Sequence, residues 1–344
     1  MPPLDHLIAL SDDVGIIQHA LFCVPNRKFG YCTDDVARAF IVVLAHLRIA
    51  PADRQSLRLA STHLSFLQHA QLESGEFHNF MGYDRRWLDE AGTRDSCGRA
   101  MWALGYGIAN APVPAWRDVC TALLDRALPS IDSLEYVRSR AYAMLGLAQA
   151  YAASQEARYG DVLRALADEL LAAYEATASE DWAWFEDRMT YDNARLPEAM
   201  IRAGRALQEP RFGRVGLEAL AFYERVTTEN GVHVPIGNDG WYRRGGSRAR
   251  YAQQPLEAYA MVDAELAAFD ATGDAKHIAS AELAMEWYYG KNSRGVRMAH
   301  GGGCYDGLAE DSVNRNMGAE STLALLAAAF SMAQRRPRAL RAVR

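Results

Sequence analysis

Ten carboxylates in this chain stand in long loops or at the starts of helical segments: Asp34, Asp35, Asp84, Asp95, Glu186, Asp187, Asp192, Glu257, Asp306 and Glu320. Carboxyls that converge on one cleft suit glycosidic cleavage, in which one protonates the leaving oxygen while a second acts as base or nucleophile. Crowding like charges raises one pKa and leaves another low, so a single cleft can hold an acid beside a base. Asp35, Asp95 and Asp187 are the catalytic set expected on this reasoning. For any single acid the alternative is structural. Asp34 and Asp35 follow Thr33 at a helix start, and Asp34–Arg38 and Asp95–Arg99 have i,i+4 spacing, so both features could serve the helix alone.

The stretches around these acids read EFHNFMGYDRRWLDE (76–90), EDWAWFED (180–187), GVHVPIGNDGWYRRGG (231–246) and MAHGGGCYDG (298–307). Aromatic rings suit the C–H faces of sugars, and acids, amides and arginines suit hydroxyls, although Trp and Tyr also serve as amphipathic staples for loops. The expected substrate contacts are Tyr31, Asp34, His78, Asp84, Arg86, Trp87, Trp184, Glu186, Asp192, His233, Trp241, Gln254, Glu257, His300, Tyr305, Asn316 and Glu320. His233 and His300 offer a second chemistry, proton removal and return beside a carbonyl, as an epimerase or isomerase needs. A saccharide-binding module without turnover is a third. Arg85, Arg86, Arg243 and Arg244 leave room for a phosphate or carboxylate on the ligand. His300, Cys304 and Cys97 have no zinc spacing, and the glycines of 300–307 fit no phosphate or dinucleotide loop. No metal and no cofactor are expected.

These residues need a scaffold, and the periodicity supplies one. Apolar residues recur at helical spacing over 4–10, 35–47, 54–70, 96–109, 116–127, 137–153, 159–177, 194–207, 212–226, 255–272, 276–289 and 318–333, with almost no strand signal. Alternate segments share a signature phased on Asp34, Asp95, Arg138, Asp192, Gln254 and Asn316, with steps of 61, 43, 54, 62 and 62 residues. One helical hairpin fits each step, and stacked hairpins bury faces that none can bury alone. The last signature helix has no successor and the first short helix no predecessor, so pairing the two closes a ring. The expected fold is an all-α (α/α)6 toroid, a single domain over 1–335, followed by a basic, disordered tail over 336–344. The stretches 13–33, 72–94, 178–191, 227–253 and 290–315 all precede inner helices and therefore gather at one face, where long loops commonly carry function.

With half its residues apolar, 23% charged and a formal net charge of −6, the chain has the composition of a soluble globular protein. Its scattered Lys and Arg offer no footprint for nucleic acid. The acidic N-terminus does not read as a secretory signal and no apolar run is long enough to span a bilayer, so a cytoplasmic protein with a neutral oligosaccharide partner is expected. The five cysteines are odd in number and form no C-x-x-C pair, which favours free thiols.

The strings GIIQHA (15–20), GYCTDDVARA (30–39), FHNFMGYDRRWLDE (77–90), DSCGRAMWALG (95–105), WFEDRMTYDNARLPEA (184–199), QQPLEA (253–258) and NMGAESTLA (316–324) resemble bacterial six-hairpin glycosidase-like domains, which are sometimes fused behind a glycosyltransferase. The likeness spans nearly the whole chain. It implies the toroid and a carbohydrate-active enzyme, here without a transferase half, since no strand–helix alternation is visible.

Overall fold

Twelve α-helices alternate between an inner and an outer ring in the structure, a computed structural model that describes residues 1–335; the tail expected at 336–344 lies outside the described residues. The inner helices are α2 (Thr33–Leu47), α4 (Arg94–Asn110), α6 (Val137–Ser154), α8 (Arg195–Ala206), α10 (Pro255–Thr272) and α12 (Ala319–Arg335). The outer ones are α1 (Asp5–Leu10), α3 (Arg54–Ala70), α5 (Pro114–Ala127), α7 (Ala157–Thr177), α9 (Pro210–Thr227) and α11 (Lys276–Glu286). Each inner helix packs on the next, α12 returns to α2, and α1 packs on α12. The fold is an (α/α)6 toroid, closed by the terminal pairing that the sequence implies.

Burial separates the two rings. α10 is buried without a break from Pro255 to Ala268, as a helix surrounded by neighbours must be, whereas α3 and α9 bury a single stripe. Local chemistry sets the helix ends. Asp53 and Thr93 accept from the amides of Ser56 (2.7 Å) and Ser96 (3.2 Å), and Pro114, Pro210 and Pro255 open α5, α9 and α10.

α4 and α6 approach most closely where glycines face backbone. A Cβ on Gly105 would stand 2.1 Å from the Gly146 carbonyl oxygen, and one on Gly146 would stand 2.3 Å from that of Met101. Neither oxygen belongs to a movable side chain, so the helices must separate to admit a methyl group. Gly146→Ala is expected to cost about 3 kcal/mol, the upper range for overpacking. A urea midpoint unchanged from wild type would refute this close packing.

The loops hold more strand than the periodicity indicates, in pairs of two residues each. Tyr31–Cys32 pairs with Phe80–Met81 and Arg188–Met189 with Tyr242–Arg243, while Gln253 bridges Leu308. The amides of Met317 and Ala319 donate to the carbonyls of Phe22 and Gln18. Loop is thus stitched to loop in a collar around the N-terminal ends of the inner helices. Among the described residues no helix is long and apolar enough to cross a membrane, and all five cysteines are free.

Candidate active site at the loop face

Three arginines in the first two turns of α2, α4 and α6 organise the acids that the collar surrounds. Arg38 bonds Asp35 on its own helix (2.9 Å) and Glu320 on α12 (2.7 Å). Arg99 reaches Asp34 of α2 (3.0 Å), the Tyr142 hydroxyl (2.6 Å) and Asp192 (3.4 Å). Arg138 bonds Glu186 (2.5 Å), the Tyr191 carbonyl and Asn193. The i,i+4 pairs expected from spacing do not form. Arg38 takes Asp35 rather than Asp34, and Arg99 takes acids from other repeats rather than Asp95, because the helix starts converge on the axis more closely than one turn separates side chains along a helix.

Asp95 and Asp306 are held differently. The two oxygens of Asp95 accept from the hydroxyls of Ser139 and Tyr191, each at 2.6 Å. Asp306 accepts from Ser321 (2.8 Å), Asn314 (3.2 Å) and Asn316 (3.3 Å). Both are half-buried and neither forms an ion pair among the described residues, whereas Asp34, Asp35, Glu186, Asp192 and Glu320 each lie against an arginine. A guanidinium favours the charged form of its partner acid more strongly than a neutral donor does, a pull that burial outweighs at Asp35.

Beneath this level the acids are sealed. Glu257 is 1% exposed and receives the Tyr223 hydroxyl (2.8 Å), the Asn193 amide (3.2 Å) and the backbone N–H of Asp192. Burial, with Asp192 alongside, pushes its carboxyl up to about 7. Burial also pushes Asp35 up to about 6, against the pull of Arg38 and with help from Glu320. Burial acts in the same direction on Asp34, but Arg99 and Arg38 outweigh it and hold that acid below its usual range.

A carboxyl raised by folding binds protons more tightly in the native state. Its stabilisation is complete below the unfolded pKa and is lost as pH rises through the folded one. For Glu257 that window runs from its ordinary value of 4.5 to about 7. Glu257→Gln should therefore flatten the fall in stability across this range, as read by urea denaturation at a series of pH values. A slope identical to wild type would contradict the shift.

Several residues expected at the site lie elsewhere. Asp187 is exposed and its side chain has no partner among the described residues, while its carbonyl accepts from the Arg244 amide. The neighbouring Glu186 turns inward to Arg138 instead. Trp184 is fully buried against Phe185 and Tyr223, and His233 is 1% exposed, with burial lowering its pKa to about 4. Neither presents a surface to a ligand. Tyr31 is buried with its hydroxyl on Asp12 (2.7 Å). Trp87 stacks on His78 and packs against Phe66 and His69 of α3, so these rings staple the second loop to the outer ring. Asp84 and Arg86 occupy an exposed turn, and Trp241 caps a turn through Asn238 (2.9 Å).

At the rim, His300 lies against Tyr305 (4.4 Å between rings) with Nε2 at the Arg297 carbonyl (2.9 Å). Gln254 precedes α10, half-buried and without a side-chain bond among the described residues. Asn316 bonds the backbone N–H of Ala20 (2.8 Å) and Nδ1 of His19 (3.1 Å). Asn316 also bonds Asp306 (3.3 Å), so His19 and Asp306 share this amide at the loop face. Within GIIQHA the one signal for His19 was its place in the first long loop.

No family model and no curated protein matches the chain. Among solved structures it is similar to a sugar epimerase from a ruminal bacterium (TM-score 0.75, 12% identity, 94% of each chain). It is likewise similar to the cellobiose 2-epimerase of Bacillus thermoamylovorans B4167 (0.74, 11% identity, 96% of this chain and 95% of that one). A third is a GH76 α-mannanase of Bacteroides thetaiotaomicron (0.68, 10% identity, 96% and 93%). At such identities the likeness establishes the fold alone, the (α/α)6 toroid.

Proposed function

We propose that the loop-face basin binds a saccharide and hydrolyses a glycosidic bond, with Asp95 and Asp306 as the acid–base pair. The observation that carries this reading is the contrast in partners: among the half-exposed acids of the basin these two are held by hydroxyls and amides, the rest by arginines. A proton-transferring group must be able to change charge during the reaction, and a salt-bridged one is poorly suited to it. Arg38, Arg99 and Arg138 then fix the surrounding acids as acceptors for sugar hydroxyls, with Asp34, about 20% exposed, as the firmly ionised one. On this reading Asp95 is retained from the set expected on sequence, Asp35 serves as a buried support and the exposed Asp187 is not used.

Epimerisation is the second reading, and His19 favours it. This imidazole is half-buried, oriented by Asn316 and adjacent to Asp306 through that shared amide. The solved structures similar in fold include proteins described as epimerases and a mannose isomerase. On this reading His19 takes the place given on sequence to His233, which is buried, and His300, which bonds the Arg297 carbonyl.

Incubating the protein with neutral oligosaccharides and following products by proton NMR separates the two. New reducing ends, lost in Asp306→Asn by about a hundredfold or more, support hydrolysis. A C2 epimer with no new reducing end, abolished by His19→Asn, replaces it with the second reading.

A further inference from the structure

At the other end of the toroid axis a cavity of about 210 Å³ lies among the inner helices, away from the basin. A buried guanidinium layer separates the two spaces. Arg195, fully buried, sits between the rings of Trp102 (4.7 Å) and Tyr259 (4.1 Å) and bonds Asp192 toward the loop face and Glu198 and Asp263 toward the cavity. Trp102, Tyr259, Glu198 and Asp263 all line the cavity, and Arg48 and Arg202 stand around it.

We infer that this cavity is a second binding site, for one small neutral polyhydroxylated ligand of sugar-ring size. Charge argues against an ion. Glu198 is held by Arg195 and Arg202 (2.7 Å), Asp263 by Arg195, and Arg335 by Asp270. The inner helices also end here, so their carbonyl ends offset Arg48. Hydrogen-bonding capacity, by contrast, is left over. The Trp102 indole N–H and the Ser331 hydroxyl, both on groups lining the cavity, bond to nothing in the described residues, and Gln149 uses its oxygen for Asn110 (3.1 Å) while its NH2 donates to no group. Unspent donors beside carboxylates and guanidiniums that are already paired suit the hydroxyls of a neutral ligand. The volume lies below the roughly 300 Å³ at which drug-sized pockets begin, enough for a single ring and too small for an oligosaccharide.

The test reads the Trp102 indole N–H signal in 15N-labelled full-length protein, assigned by its disappearance in Trp102→Phe. D-glucose should shift this signal in wild type and equally in Asp95→Asn, whose lesion is at the other face. Ala327→Leu, which fills the cavity from α12, should abolish the shift, and Ser331→Ala should weaken the response about fivefold or more. A signal unmoved up to about 100 mM glucose, or moved equally in Ala327→Leu, overturns the assignment. A stronger response to glucose 6-phosphate at equal concentration overturns the neutrality of the ligand. Turnover at the loop face is measured separately, so failure of this site leaves the catalytic reading standing, and the reverse also holds.

Discussion

Asp95→Asn should lower turnover of the saccharide substrate by about a hundred- to ten-thousandfold, the usual contribution of a positioned acid or base, while leaving substrate binding within a few fold of wild type. Asparagine keeps the shape and still offers an oxygen to Ser139 or Tyr191, the groups that now hold the carboxylate at 2.6 Å. What it loses is the ability to take and return a proton. Burial and Asp95 together raise the Tyr191 hydroxyl, so that group stays protonated and serves as donor rather than base. Rates from NMR or reducing-end detection, paired with calorimetric binding of the same sugar, separate the two effects. Loss of binding in step with loss of turnover would make Asp95 a structural anchor and remove it from the chemistry.

The second large effect concerns stability. Replacing Arg195 by Met should destabilise the fold by about 3–5 kcal/mol, as expected when one member of a buried ionic network is removed. Asp192 keeps Arg99 and Tyr142, and Glu198 keeps Arg202. Asp263 loses its only ion pair among the described residues, and the stacking of a cation between Trp102 and Tyr259 is lost as well. The pH dependence distinguishes this cause from a packing defect. Unpaired buried carboxylates take up protons as pH falls, so the deficit relative to wild type should shrink between neutral and mildly acid pH. A deficit that is constant with pH, or below about 1 kcal/mol, would mean that the network contributes little net stability.

Much of the architecture is legible in the chain. Twelve helical periods, six signatures and unpaired terminal helices give the closed ring, because a helix that must bury one stripe or all of its surface records that requirement in the spacing of its apolar residues. The asymmetry of connection lengths gives the working face for the same reason, since alternation forces long connections to one end. The two-residue ribbons of the collar were not legible, as a period-two pattern needs about four residues to register.

The site divides along the same line. Asp34, Asp95, Glu186, Asn316 and Glu320 come together because helix starts converge, which the repeat phases imply. Which residue faces the basin and which is sealed follows no pattern in the chain. Glu186 turns to Arg138 while Asp187, one residue on, meets solvent, and Trp184 packs on Tyr223, a residue from a different hairpin. Arg99 chooses Asp34 and Asp192 over its own i−4 neighbour. The sequence by itself determined the helices, their pairing and the end at which the loops meet, since each follows from periodicity along one segment. The partners of the arginines, the burial of Trp184 and His233, the neutral hydrogen-bond donors of Asp95 and Asp306 and the cavity at the far end were decided only by the tertiary structure. They depend on the radial distance of each side chain from the axis and on groups supplied by other repeats, and closure of the ring sets both.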